Sequence, residues 1–392
     1  MTTSLGNACN VCRGQLGNVL YRSADGQSLT SLCRVHSSTT EVFACRGCGH
    51  LQTHAIENVD AFYDHDYDIL VESEEEDQIY EMRDGAPIYR TEHQVQLLRD
   101  ALGDIATPLL LLDYGCAKSS TVRALCAEQP LFIPHLYDVS ARYEPFWERF
   151  AQRENWAIKR TPATWQGRFD LVTSFFSLEH IPTVGDTLRH IASLMKPGGR
   201  FYAVVPNVLT NVADFVVIDH CNHFTQPSLT QLLAEAGLIA ERIDGSAHRG
   251  AFVLVARKPE TRLTIPMAKD RAMIERTYTE LSNIGNFWCD AAGRVREFER
   301  KLPEQAQVAI YGAGFYGAFL RSSLADPERV ACHLDNNPFL HGKSFNQKPV
   351  LPPAHLPADL GSVLIGLNPA DAHRIVAEIP ALARPDLELF FL

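Results

Sequence analysis

Leu109-Leu110-Leu111-Leu112-Asp113-Tyr114-Gly115-Cys116-Ala117-Lys118-Ser119-Ser120 decides how the chain is read. Four leucines bounded by polar residues form a short strand covered on both faces. Asp113, Tyr114 and Gly115 end it, and Thr121-Val122-Arg123-Ala124-Leu125 opens a helix. A strand, a Gly turn and a helix N-terminus make a ligand cradle, because free N–H groups point outward and Gly admits a close approach. The glycines are too few for a dinucleotide fingerprint, and no Gly-Lys-Ser/Thr phosphate loop is present. A carboxylate at the strand end beside one Gly suits a ligand with a cationic amino-acid end, such as S-adenosylmethionine. The plainer alternative is an ordinary turn of an α/β domain.

Outward from this stretch, strand and helix alternate. Leu131–Asp138 reads as a second strand, and an acid at its end can hold both ribose hydroxyls of a nucleoside. Phe169–Phe176 reads as a further strand running into Ser177-Leu178-Glu179-His180-Ile181-Pro182. A helix over Thr187–Met195 stops at Lys196-Pro197-Gly198-Gly199, and a strand follows over Arg200–Val205. The order describes a doubly wound sheet, closed by a helix from Leu229 and a strand over Phe252–Ala256. Upstream, Asp77–Leu102 reads as helical, interrupted in its first part by Gly85 and Pro87.

Three parts are expected: residues 1–75, 76–258 and 259–392. In the first, Cys9-x-x-Cys12 and Cys45-x-x-Cys48 are two knuckles, each followed closely by Gly (Gly14, Gly49). Four thiolates so paired fit a structural tetrahedral zinc site. A redox role is disfavoured because no βαβ pattern surrounds either pair. Cys33 and His36, between the knuckles, could each substitute for a ligand, but read rather as a buried thiol and a surface imidazole. The stretch Phe62–Asp68 and the acidic run Glu72–Asp77 read either as a substrate-lining segment or as a solvated connection. In the last part, helical periodicity runs from Met273 to Leu302. Gly312-Ala313-Gly314-Phe315-Tyr316-Gly317 follows a strand, with Asp335 one unit later. This matches a Rossmann fingerprint and supports a rival reading as an NAD-dependent oxidoreductase. Its short length favours a helper domain instead.

Net charge is −11 with no basic run, which argues against nucleic acid or an anionic membrane as partner. Met1–Asn10 lacks a basic and apolar leader, and no apolar run reaches the ~20 residues of a membrane span. Ten cysteines without a leader point to the reducing cytoplasm.

The ordered set Leu112–Cys116, Asp138, Phe169–Val172, Leu178–Ile181 and Leu194–Gly199 resembles the class I S-adenosylmethionine-dependent methyltransferases. The three-part layout is similar to the sugar C-methyltransferases acting on nucleotide-linked keto-deoxysugars. Those enzymes join a zinc domain, a methyltransferase domain and a Rossmann-like domain. The resemblance implies that Asp113 and Gly115 border the methionine part of the cofactor and Asp138 its ribose. Tyr114, Cys116 and Phe176 complete the candidate cofactor set. Two departures stand out. The family's Gly-Ser-Asn-Asp-Gly type of loop is here Gly115-Cys116-Ala117-Lys118-Ser119. Its Tyr-His-Glu-His-Phe box is here His220-Cys221-Asn222-His223-Phe224, so the family base falls on His223 and its Glu on Asn222.

Methyl transfer to a hydroxyl or to a carbon beside a carbonyl needs a base poised near neutral pH, and His is the side chain nearest to that. His223 is the candidate base, oriented by His220 or Asp219, with His180 as a further imidazole at another strand end. A nucleotide-linked sugar is the expected acceptor. Carbon methylation is favoured over oxygen methylation, and a monomer and a dimer both remain open. A zinc adaptor without enzymatic activity is disfavoured by the complete cofactor cradle.

Overall fold

The computed structural model describes residues 8–56, 77–83, 86–261, 263, 265 and 270–392. The stretch Phe62–Asp68, all but the last residue of the acidic run Glu72–Asp77, and Gly85 lie outside them. Two compact units build the chain. The first comprises Met1–Asn18, Ala44–Thr210 and His220–Tyr278; the second comprises Val19–Phe43, Asn211–Asp219 and Thr279–Leu392. Among the described residues, no helix is long and apolar enough to cross a membrane.

The first unit holds a seven-stranded mixed sheet. Its elements run α1 (Arg90–Leu102), β1 (Leu109–Tyr114), α2 (Ser120–Glu128), β2 (Phe132–Asp138), β3 (Trp156–Ile158) and β4 (Phe169–Phe175). They continue with α3 (Val184–Leu194), β5 (Met195–Pro206), α4 (Gln226–Glu235), β6 (Ile239–His248) and β7 (Ala251–Arg257). Strand order is β3-β2-β1-β4-β5-β7-β6. The first five strands are parallel, and β7 pairs antiparallel with both β5 and β6. Chain order reverses between β1 and β4, so a crevice opens at their carboxyl ends. Leu111 packs with Leu98, Val122, Leu125 and Leu171 on one face, while Leu136, Trp147 and Trp156 fill a second cluster. Burying one such Leu contributes about 1.5–3 kcal/mol.

Three expectations change. Asp77–Leu102 is not one broken helix. A hairpin of Ile79–Arg83 with Ala86–Tyr89 precedes α1, and Pro87 lacks the N–H a helix interior needs. The Pro-Gly-Gly motif is not a free stop. Gly198 N donates to Lys258 O and Lys258 N to Gly199 O, which draws the motif into β5. The helix before it begins at Val184. Finally, β6 escaped notice because it is an edge strand, polar along much of its length.

The second unit carries a six-stranded sheet: β8 (Val308–Tyr311), β9 (Val330–Leu334), β10 (Ser344–Phe345), β11 (Lys348–Leu351), β12 (Ser362–Ile365) and β13 (Glu388–Phe391). Its order is β10-β11-β9-β8-β12-β13, parallel except for β10 with β11. The helices Phe315–Ser323 and Pro369–Ala377, and most of Arg271–Lys301, belong to this unit.

Candidate functional site

Gly115 sits at the reversal of strand order with φ +68°, and its amide donates to Tyr137 O at 2.8 Å. A Cβ there would lie 2.0 Å from Ser177 Oγ, so only Gly lets the β1 and β4 ends approach this closely. Ala117, Ser119 and Phe176 also have positive φ, at 44°, 57° and 49°. Strained backbone gathered at one crevice marks a site shaped for a task other than stability.

A cavity of about 620 Å³ opens over this turn, within the range of small-molecule sites. Of the sequence-derived cofactor candidates, Tyr114, Gly115, Cys116, Asp138 and Phe176 line it. Asp138 Oδ2 accepts from Ala117 N at 2.8 Å and Oδ1 from Ser140 N at 3.0 Å. Burial pushes its carboxyl up, and the Ser140 and Ala117 amides pull it back toward the charged form. Burial likewise drives the Cys116 thiol well up, so it is a wall and not a nucleophile.

Asp113 is not part of the cavity wall. It lies beneath the loop, 1% exposed, accepting from Ser119 Oγ at 2.6 Å and Thr173 Oγ1 at 2.8 Å. Its burial lifts the carboxyl to about 7, against the hydrogen bonds from Ser119 and Thr173. The Ser119 hydroxyl is thereby diverted from capping α2, and no side chain caps that helix start. The first turn of α2, Ser120 and Thr121, borders the cavity with its amides available to an anionic group.

Sequence reading missed the contribution of α1. Arg90 and Gln94, one helical turn apart, line the cavity. The Arg90 guanidinium stands 4.1 Å over the Phe176 ring. Gln94 is 4% exposed; its Oε1 accepts from Thr121 Oγ1 at 2.7 Å, which leaves Nε2 as an unpaired buried donor beside the cavity. The i, i+4 spacing of two polar residues on an otherwise apolar helix face was the available signal.

The imidazoles separate. His180, on the turn after β4, lines the cavity. His220 packs edge-on against it, with ring centroids 4.6 Å apart. His223 is fully buried, its ring 6.5 Å from that of His220, and it does not border the cavity. The reason is strand pairing: Asn222 and His223 align with Gln52 and Leu51. Asp219, the other proposed orienting group, ends a segment of the second unit, where it accepts from Ser31 N and Oγ, both at 2.6 Å. Arg249 lies over the Tyr80 ring at 5.5 Å, as a surface turn would.

Cys9, Cys12, Cys45 and Cys48 converge, their sulfurs all within 4.8 Å of one another. The sulfur contacts are 3.6 Å for Cys9 with Cys48 and 3.5 Å for Cys12 with Cys45. A Cβ at Gly14 would lie 3.2 Å from Cys12 Sγ, so small residues leave room around the sulfurs. Four soft donors in a closed cluster fit zinc. Cys33 and His36 fall in the second unit and take no part in the cluster.

The knuckles are wired to the histidine segment through Asn222. Its Oδ1 accepts from Asn10 Nδ2 at 3.0 Å and from His50 Nε2 at 3.3 Å. Its Nδ2 donates to Leu178 O at 3.1 Å and Ile181 O at 2.8 Å. Thr53 Oγ1 donates to His220 O at 2.8 Å. The residue that replaces the resembled family's Glu is therefore a buried clasp between Asn10, His50 and the His180 turn.

Residues 88–241 match a family described as a methyltransferase domain. Among solved structures, a chain of the Haloferax volcanii complex between the Trm112 methyltransferase activator and a methyltransferase is similar, at 14% identity and TM-score 0.38. It covers 43% of this chain and 90% of its own. The CurJ carbon methyltransferase shares 14% identity with TM-score 0.36, covering 43% and 55%. The Burkholderia thailandensis 1,6-didemethyltoxoflavin-N1-methyltransferase, solved with S-adenosylhomocysteine, shares 21% with TM-score 0.33, covering 43% and 78%. No curated protein matches the sequence. The match covers less than half of the chain, and a methyltransferase domain is what residues 88–241 resemble.

Proposed function

We propose that this chain is an S-adenosylmethionine-dependent methyltransferase and that it methylates a nucleotide-linked sugar, at a carbon beside a carbonyl, on the face presented by His180. The observation that carries the reading is the Gly115 turn at the strand reversal, opening on a cavity with His180 on its wall. The sugar acceptor is supported by the three-part layout the sequence resembles.

The cofactor supplies a methyl group on a sulfonium, ready for in-line displacement. Gly115 would admit its backbone-facing side, and Asp138 would take its ribose hydroxyls. The first turn of α2 and the donor of Gln94 would meet its amino-acid carboxylate. Arg90 covers the Phe176 ring on the cavity wall and places a positive charge there. His180, with His220 set against it, acidifies the acceptor, either by taking a proton or by stabilising the enolate oxygen. His223, buried behind the pair, is a positioning residue and not the base at the acceptor. Incubating the full chain with labelled cofactor and a panel of nucleotide sugars, then locating the label by NMR, tests the reading. Label on a sugar carbon is expected; turnover of another acceptor class alone would refute the substrate.

A further inference from the structure

Beside the cavity, Glu179 joins His180 and His220 in a constellation of three ligating side chains. Ligating atoms of Glu179, His180 and His220 all lie within 4.8 Å of one another. Glu179 is 1% exposed and His220 9%, while His180 is half-buried and reaches the cavity wall.

The backbone around the three is held. Asn222 clasps both carbonyls flanking Glu179–His180, at Leu178 and Ile181. Cys221 Sγ donates to Glu179 O at 3.4 Å, and Thr53 holds His220 O. Two ligands therefore come from one short turn and the third from a segment tied to that turn. Preorganisation of this kind is what a metal site needs.

We propose that Glu179, His180 and His220 bind a first-row divalent cation, with an open position toward the cavity. Two imidazoles and one carboxylate are a ligand set for zinc, iron or cobalt that leaves room for substrate. Bonds of about 2.0–2.2 Å place ligand atoms roughly 3–3.5 Å apart, a closure that the half-buried His180 side chain can supply. The role rests on the reading above, that the acceptor oxygen sits at His180. That oxygen donates a lone pair to the ion. The neighbouring proton, on the α-carbon of a ketone or on a hydroxyl, leaves to water, and the resulting enolate or alkoxide is stabilised by the ion. The imidazoles then hold the ion in place of moving the proton.

The test uses the full chain with one equivalent of Zn²⁺ in the cysteine site, titrated with Co²⁺. A second bound equivalent is expected, with weak visible bands of nitrogen and oxygen ligation and no thiolate charge-transfer band. Glu179→Gln should weaken Co²⁺ binding by about 10–100-fold while S-adenosylmethionine still binds. His180→Ala, at the half-buried edge, provides a second variant with the same expectation should Glu179→Gln not fold. No second equivalent in the wild type, or unchanged affinity in a folded variant, overturns the site. Co²⁺ uptake without any S-adenosylmethionine binding would uphold the site and refute the methyltransferase reading instead.

Discussion

Each unit contains a glycine turn between a parallel strand and a helix, and the two are built alike. In the first, Ala117 N donates to Asp138 at 2.8 Å; in the second, Ala313 N donates to Asp335 at 2.8 Å. Asp138 is the last residue of the next strand, and Asp335 immediately follows its own. The glycines differ in what occupies the space beside them. A Cβ on Gly312 would lie 2.4 Å from Gly366 O, and one on Gly317 would lie 2.0 Å from Gly312 O. Two of the three glycines of the literal fingerprint are thus accounted for by backbone packed on backbone. Gly115 faces a side chain instead, with Ser177 Oγ 2.0 Å from where a Cβ would lie, and it borders a cavity. A glycine spacing alone therefore does not distinguish a ligand cradle from a tight strand-helix contact; what stands against the missing side chain does.

The sharpest way to break this contrast is to add side chains. Gly115→Val should lower S-adenosylmethionine affinity and methyl transfer by about 100-fold, since displacement by about 1 Å costs that much. Gly312→Ala should instead destabilise the second unit by about 1–3 kcal/mol in thermal unfolding, with cofactor affinity unchanged. Gly314→Ala, with nothing within 4 Å of its Cβ, should resemble wild type in both measurements. Equal loss of cofactor binding in Gly115→Val and Gly314→Ala would erase the distinction.

The next effect comes from the four-cysteine cluster, whose donor set fits zinc. Removing zinc, or making Cys12→Ser, should reduce methyl transfer by about 10–100-fold, because Asn10 and His50 lie beside the cluster and hold Asn222. Methyl transfer in a folded, zinc-free protein at the wild-type rate would contradict that coupling. A smaller effect is expected for Asn222→Ala. It removes the donors to Leu178 O and Ile181 O; Leu178 O keeps the Ile181 amide, so the cost is about 1–3 kcal/mol for losing the partner of Ile181 O. Zinc content should be retained while thermal stability and turnover both fall.

A further effect is a pH dependence beneath the Gly115 turn. The carboxyl of Asp113 lies at about 7 when folded, against 3.8 when unfolded. Between those values the unfolded chain releases a proton that the folded chain keeps, so this group lowers stability as pH rises. Below about 4 and above about 7 its contribution is flat. The melting temperature of wild type relative to Asp113→Asn should therefore decline from pH 4 to 7 and then level. A difference constant across that range would show that Asp113 titrates normally.

Much of this contrast was legible in the sequence, for physical reasons that also explain what was not. The strand before Gly115, the acid at Asp138, the cavity position of Phe176 and the convergence of the four cysteines follow from local pattern and ligand spacing. The burial of His223 does not. It results from pairing Asn222–His223 with Leu51–Gln52, segments about 170 residues apart, and periodicity reports only neighbours along the chain. The hairpin before α1 was hidden because its apolar residues suit a helix as well as a strand, and Pro87 marks only a boundary. Asn222 reads as a lost catalytic Glu in sequence and is found as a clasp joining Asn10 and His50 to the carbonyls of Leu178 and Ile181. Arg90 and Gln94 needed the crevice in place before their side of α1 had meaning.

The central claim is that the turn at Gly115 is the cofactor cradle and the Gly312–Gly317 turn is a packing device. Calorimetric titration of the full chain, and of Gly115→Val, with S-adenosylmethionine and with NAD tests it most directly. The account predicts that wild type binds one S-adenosylmethionine, that Gly115→Val loses it, and that NAD gives no heat with either. Binding of NAD by both proteins, with no S-adenosylmethionine bound by wild type, would contradict it.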